Sequence, residues 1–305
     1  MAFSNLYSAV CRGKWFVSFR EVESNLLLVN RLLEHGIDNQ DNRILADREP
    51  VPLMIAAAGG RTARLSGGYA DAPKGSTAII PVHGTLLKYG TYCSYGTMEY
   101  ADLIREAADS PNISSVLCDI DSGGGAVDAI APLVDAILYA RGKGKAVVAH
   151  CDLCASAAYY AASYCNEIIA ANEVSAEFGS IGVMMSFPDY AKYYESAGIK
   201  VHTIYSNLSD YKNAPFEAAK KGDYVSIRDE ELDPLARDFQ ENVKKNRGNC
   251  LKLETEGLLR GRMFYHREAL KVGLIDAIGT QDYAVQRSRE IDSEMTINNY
   301  INSKS

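Results

Sequence analysis

ISSVLCDIDSGGGAVDAIAPLVDAILYARGKGKAVVAHCDLCASAAYYAASYCNEIIAA, residues 113–171, decides the fold. Its runs ISSVLCDI, KAVVAH and EIIA are apolar at consecutive positions and are bounded by glycine or polar residues, the pattern of strands buried on both faces. Between the first two runs, Ala126 to Tyr139 sets Val127, Ile130, Val134, Ile137 and Leu138 on one helical stripe, and Pro132 makes that helix start late or kink. One more strand, TAIIPVHG at 77–84, precedes them. Strand, helix, strand, helix predicts a βαβ succession, an α/β domain with a largely parallel sheet covered by helices.

Downstream, VHTIYS at 201–206 reads as a strand, and Leu232, Leu235, Phe239 and Val243 mark an amphipathic helix. GRMFYHREALKVGLIDAIG at 261–279 reads as a turn, a short helix and a strand. Upstream, residues 1–74 form an N-terminal helical extension or pro-segment, with Leu26, Val29 and Leu33 on one face of Val22 to Leu33. SGGYADAPKGS then acts as a joint to a domain over 75–285. Residues 286–305 are a polar tail, either disordered or used in assembly.

With 305 residues, 47% of them hydrophobic and 23% charged, the chain is long and apolar enough for a sizeable core. A formal charge of −7 supplies no basic surface for phosphate backbones, which argues against nucleic acid as a primary partner. Seven scattered cysteines, an odd number, predict free thiols in a reducing compartment, the cytoplasm. Arg12 and Lys14 follow rather than precede the apolar stretch at the start, the reverse of a secretory signal. Asp128 and Asp135 interrupt the most apolar run before it reaches the roughly 18–20 residues of a membrane span.

Three stretches can carry chemistry. DSGGGAV puts consecutive glycines between a strand end and a helix, which is either plain topology or a place where main-chain N–H groups face a ligand. The phosphate-loop and dinucleotide spacings are both missing from it. CASAAYYAASY puts Ser156 among small residues after a buried strand, as a helix N-cap or as a nucleophile. Behind a nucleophile, the Ala157 N–H is a natural oxyanion donor. No histidine of His35, His83, His150, His202 and His266 forms a recognisable triad with an aspartate, and Lys212 is a loop lysine of the kind usually solvated. Cys151 and Cys154 with His150 lack the second pair that a zinc site needs, so they read as core, as do Tyr159 and Tyr160; no metal or cofactor is implied.

Taken together and in order, these elements resemble the signal peptide peptidase A (SppA) family of Ser-Lys peptidases, including the protease C-like enzymes of tailed-phage capsids. The likeness runs from about Ser76 to Gly279. It rests on Ser122 to Val127 (with Gly123 where the family has proline), Ala155 to Tyr160, Gly179 to Val183, Lys212, and Ala269 to Gly279. The resemblance implies a crotonase/ClpP-like fold of repeated ββα units. It assigns Ser156 as nucleophile, Lys212 as base (Lys220 or Lys221 as fallback), Ser180 as the residue orienting the amine, and the Gly124 and Ala157 N–H groups as the oxyanion hole. A lysine base must be uncharged, and an ordinary ammonium loses its proton only near pH 10.4 unless burial lowers that value. The resemblance further implies polypeptide substrates, either phage scaffold and capsid proteins or signal peptides, and a homo-oligomeric ring in the cytoplasm or associated with a procapsid. Two rivals remain: acyl-CoA chemistry on the same scaffold, and a catalytically inactive capsid component.

Overall fold

A computed structural model describes residues 14–17, 49–91, 94–187 and 191–302. The expected helix at Val22 to Leu33 lies outside the described residues. β1 is Lys14–Val17, β2 Leu53–Ala56, β3 Thr62–Leu65 and β4 Ser76–His83. They are followed by α1 (Thr97–Asp109), β5 (Ile113–Ser122), β6 (Gly124–Ala126), α2 (Ile130–Gly142), β7 (Ala146–Ala155), α3 (Ala157–Ala162), β8 (Glu167–Ala170), β9 (Glu177–Gly179) and β10 (Met184–Met185). The remainder comprises α4 (Ala191–Ser196), α5 (Ala214–Lys220), α6 (Asp233–Arg247), β11 (Met263–Tyr265), α7 (His266–Lys271), β12 (Ala277–Ile278) and α8 (Gln281–Asn302).

The main sheet runs β11-β9-β7-β5-β4-β2-β3, with β8 and β12 branching from β7. Its centre is parallel: β4 with β5, β5 with β7, and β7 with both β8 and β9. Antiparallel pairs close the edges. This is the predicted α/β arrangement, a largely parallel sheet flanked by helices. β7 divides along its length: Val148 to Cys151 pair with β8, and Leu153 to Ala155 pair with β9. That split hands the last residues of β7 from β8 to β9 and leaves Ser156 just past the strand's C-terminal end.

Period-two alternation explains why the central strands are continuously apolar. Ile80, Val116, Cys118, Val147 and Ala149 face one core, shared with α1, α2 and α3. Ile79, Leu117, Ala146 and Val148 face the other, against α8. α2 starts at Ile130 after a 3₁₀ turn, so Pro132 sits in its first turn where no intrahelical N–H is needed. α6 buries Phe239 and Val243 as the pattern predicts.

Three regions differ from the sequence reading. VHTIYS forms no strand: Val201 and Ile204 are exposed and no neighbouring strand pairs with them. β2 and β3, from the segment read as an extension, supply one edge of the main sheet. Most of the polar tail is the 22-residue helix α8, which buries Ala284, Val285, Ser288 and Ile291. Arg287 on Glu167 (2.7 Å) and Arg289 on the Ala56 carbonyl (2.7 Å) hold it down. Among the described residues no helix is long and apolar enough to cross a membrane.

Candidate active site

Ser156 is the residue between β7 and α3, with φ 52° and ψ −116°. An L-residue in this region is strained by contact between its Cβ and the main chain, at a cost of roughly 1–3 kcal/mol. The surroundings enforce it. Ser156 N–H donates to the Gly179 carbonyl (2.8 Å), and its own carbonyl accepts from Tyr160 N–H (2.8 Å), so both peptide groups are pinned. Its hydroxyl makes no helix-capping bond, which removes the N-cap alternative. Instead, Oγ donates to the Gly182 carbonyl at 3.5 Å, and the residue is 1% exposed.

Small residues make this bend possible. Ala157, Ala158, Ala161 and Ala162 are all buried, leaving α3 no room for larger side chains. The Ala157 N–H, first in the helix, has no intrahelical acceptor. Below it, Tyr159 is fully buried with its hydroxyl on the Leu274 carbonyl (2.7 Å), and burial pushes that phenol far up. Tyr160 packs on Phe239 with ring centroids 5.0 Å apart.

The register brings Ser180 beside Ser156. Ala155 pairs with Gly179 at the end of the β7/β9 ladder, so the two serines follow the same rung on strands about 5 Å apart. Ser180 also has φ 52°, with its N–H on the Arg262 carbonyl (3.0 Å). Gly179 must be glycine: its φ is 123°, and a Cβ there would meet the Arg262 carbonyl oxygen.

The glycine turn forms the other wall. Leu86 N–H donates to the Gly124 carbonyl (2.8 Å) and Ala126 N–H to the Leu86 carbonyl (2.9 Å). A Cβ on Gly125 would overlap that Leu86 oxygen, which explains the middle of the GGG run. The Gly124 N–H, expected to be free for an oxyanion, donates to Ser122 Oγ (3.1 Å), and Ser122 in turn donates to the Gly84 carbonyl (2.6 Å). The sequence reading missed this hydroxyl, and Gly182 as the acceptor for Ser156. The motifs containing both were legible, but their hydrogen bonds depend on register.

Lys212 is not brought to Ser156. Its side chain is exposed on the turn before α5, close to Tyr205, Asp210, Glu217, Lys221 and Asp223, and no hydrogen bond links it to the serine. The fallback lysines fare no better: Lys220 pairs with Glu217 (3.3 Å) and Lys221 is exposed. His150 and His83 do not substitute. His150 stands six residues back along β7, about 20 Å away at 3.3 Å per residue, held by Asp119 (3.3 Å) and the Gly279 carbonyl (3.2 Å). His83 shares the same aspartate (3.5 Å). Cys118, Cys151, Cys154 and Cys165 are free and buried, and burial together with neighbouring thiols raises Cys151.

Comparison with known proteins adds an independent line. A family model described as Peptidase family S49 matches residues 140–295. The chain is 30% identical over 207 residues to the head-tail preconnector protein GP5 of Enterobacteria phage P21, covering 66% of this chain and 40% of that protein. It is 26% identical over 220 residues to capsid assembly protease C of Escherichia phage lambda, covering 70% of this chain and 48% of that one. The chain thus spans less than half the length of either relative. Among solved structures, the 1510-N membrane-bound stomatin-specific protease is 16% identical with a TM-score of 0.44, covering 70% of this chain and 80% of that chain.

Proposed function

Because the chain belongs to peptidase family S49, we propose that it hydrolyses peptide bonds with Ser156 as nucleophile and Lys212 as general base. The observation that carries this reading is the backbone of Ser156: a strained, pinned residue whose hydroxyl caps nothing is hard to account for as structure and is what a presented nucleophile requires. Ser156 Oγ attacks the scissile carbonyl and passes its proton to the uncharged Lys212 amine, which then protonates the leaving amine. Water then hydrolyses the acyl-enzyme. The Ala157 N–H stabilises the oxyanion, and Gly124 adds a second donor once its N–H turns from Ser122 to substrate. Ser180, one rung away, orients the amine.

For Lys212 to act, the segment carrying it must close over Ser156. That segment exposes Tyr193, Ile199, Val201, Ile204 and Leu208, an apolar surface of the kind that assembly covers. It supports a homo-oligomer in which docking delivers the lysine. The two phage relatives support scaffold or capsid proteins as substrates. One observation favours a second reading: with Lys212 in solvent, the chain is also compatible with an inactive capsid component.

Casein hydrolysis and fluorophosphonate labelling decide between the two. Wild type turns over casein and is labelled at Ser156, whereas Ser156→Ala does neither, and Lys212→Ala and Lys212→Arg lose turnover because a guanidinium cannot act as base. The expected loss is about 10⁴-fold or more for either member of the dyad. Near-wild-type turnover in the Lys212 variants removes that residue from the mechanism, and an unlabelled wild type leaves the inactive reading. An acyl-CoA enzyme would have no use for Ser156 and would escape labelling as well.

A further inference from the structure

Beside the site lies a second, three-stranded sheet ordered β10-β1-β6. Its middle strand, Lys14–Val17, comes from far upstream in the chain and runs antiparallel to both neighbours. Those neighbours are the walls of the site: β6 is the glycine turn, and β10 follows Gly182, whose carbonyl accepts the Ser156 hydroxyl. Val17 lies opposite Gly124, Phe16 opposite Gly125, Trp15 opposite Ala126 and Met184, and Lys14 opposite Met185.

The hydrogen bonding of β6 shows why this slot accepts a strand. The Gly124 carbonyl and the Ala126 N–H are spent on Leu86. Successive strand residues turn these groups to opposite sides, so Gly125 is left facing β1. Any extended polypeptide entering between β6 and β10 gains main-chain pairing from both. β1 also runs in a definite direction: its C-terminal end reaches Gly124, so the peptide bonds after Val17 continue toward the proposed oxyanion donor.

We infer that Lys14–Val17 is a tethered stand-in for substrate, filling as an antiparallel strand the slot through which an extended polypeptide must reach Ser156. The inference rests on the peptidase reading above. Belonging to the same chain, such a segment is held at an effective concentration on the order of millimolar, so even weak intrinsic affinity keeps a large share of sites closed.

Phe16→Pro tests it in the full chain, because proline has no N–H for the pairing opposite Gly125. The variant should cleave casein with KM lowered at least about twofold and kcat unchanged, and a free GKWFVS peptide should inhibit it competitively and more strongly than it inhibits wild type. In Ser156→Ala, excess GKWFVS should speed amide exchange at Trp15 to Val17 while the amides of Gly124 to Ala126 stay protected. Equal KM in Phe16→Pro and wild type, with no inhibition by the peptide, overturns the inference and leaves the peptidase intact. Absence of turnover and of Ser156 labelling in both proteins defeats the peptidase reading instead. Exchange at Trp15 to Val17 unmoved by peptide would then overturn the slot as well. A lowered melting temperature in Phe16→Pro without the KM change marks β1 as merely structural.

Discussion

The ends of β7 and β9 and the stretch from Ala191 to Asp223 hold the two members of the proposed dyad in opposite ways. Around Ser156 the adjoining Ala155, Ala157 and Ala158 are buried, main-chain groups are paired across three strands, and two serines are held at positive φ. From Ala191 to Asn213, ahead of α5, nearly all the side chains are exposed, including aliphatic ones that gain nothing from water. Strain is stored where packing over-determines the backbone, and in the outer stretch such packing is confined to α5, where Ala219 is buried and Phe216 packs on Phe187. The proposed nucleophile is therefore built by the fold, and the proposed base waits on a further contact. The largest stability effect should accordingly come from the anchored side. Arg247, with its side chain 7% exposed, makes paired 2.8 Å bonds to Asp276, which also accepts the Ile168 N–H (2.8 Å). Arg247→Ala strands that carboxylate and should cost about 3–5 kcal/mol in urea unfolding, whereas Lys212→Ala should change stability by less than about 0.5 kcal/mol. Comparable losses in both would erase the contrast.

A second effect lies on the same sheet, remote from the serine. Asp119 sits between His150 and His83. Burial alone raises its carboxyl, but hydrogen bonds from the two histidines outweigh burial and hold it at about 2. His83 is raised in turn, chiefly by its hydrogen bond to Asp119, with Asp121 adding to it. The signs are opposite. The lowered carboxyl contributes stability that is present above its ordinary value of 3.8 and is lost as pH falls through about 2. The raised imidazole contributes stability that is full below 6.5 and is lost as pH rises through its folded value. The Asp119 shift arises from His150 and His83 together and the His83 shift from its own bond to Asp119, so the part they share is counted once. Melting temperature against pH should peak between those limits, and Asp119→Asn should flatten the curve. An unchanged profile in that variant would show that the pair contributes nothing.

Much of this was readable in the residues. The apolar runs at 113–120, 146–150 and 167–170 announce strands buried on both faces, and Ala155-Ser156-Ala157-Ala158 announces a crowded bend. The positive φ of Ser156 was not readable, because it follows from where Gly179 falls in register with Ala155, a long-range fact. VHTIYS has the composition of a strand, but composition cannot supply a partner strand, and none lies alongside. α8 was missed for the converse reason: Ala284, Ser288, Ile291 and Met295 keep a helical spacing, but the charged residues between them dominate the average and hide the stripe. Lys212 was reached only through the order of motifs, and such order does not say which loops are closed; the side chain is exposed.

A smaller effect separates backbone from hydroxyl at the nucleophile. Ser156→Gly removes the Oγ and also the Cβ that makes φ 52° unfavourable, so it should unfold about 1 kcal/mol later than Ser156→Ala, which keeps the Cβ and the strain. Both should be inactive. Equal stability of the two variants would mean that the bend costs nothing and would weaken the case for a purposely presented serine.

The smallest expected change in stability is on the outer stretch, and it bears on how the site is completed. Ile204 is 91% exposed and Leu208 94%, so replacing both with serine removes almost no buried area and should leave the melting temperature within the effect of a surface change, about 0.5 kcal/mol. If that surface is covered when copies assemble, the same double variant should sediment as a smaller species and lose turnover while Ser156 still reacts with a fluorophosphonate. The combination matters because reactivity at the serine reports on the half of the site that the sheet builds, and turnover reports on the arrival of Lys212. Loss of both together would place Ile204 and Leu208 in the packing of the nucleophile, and retention of full turnover in a smaller species would mean that a single copy closes the segment by itself.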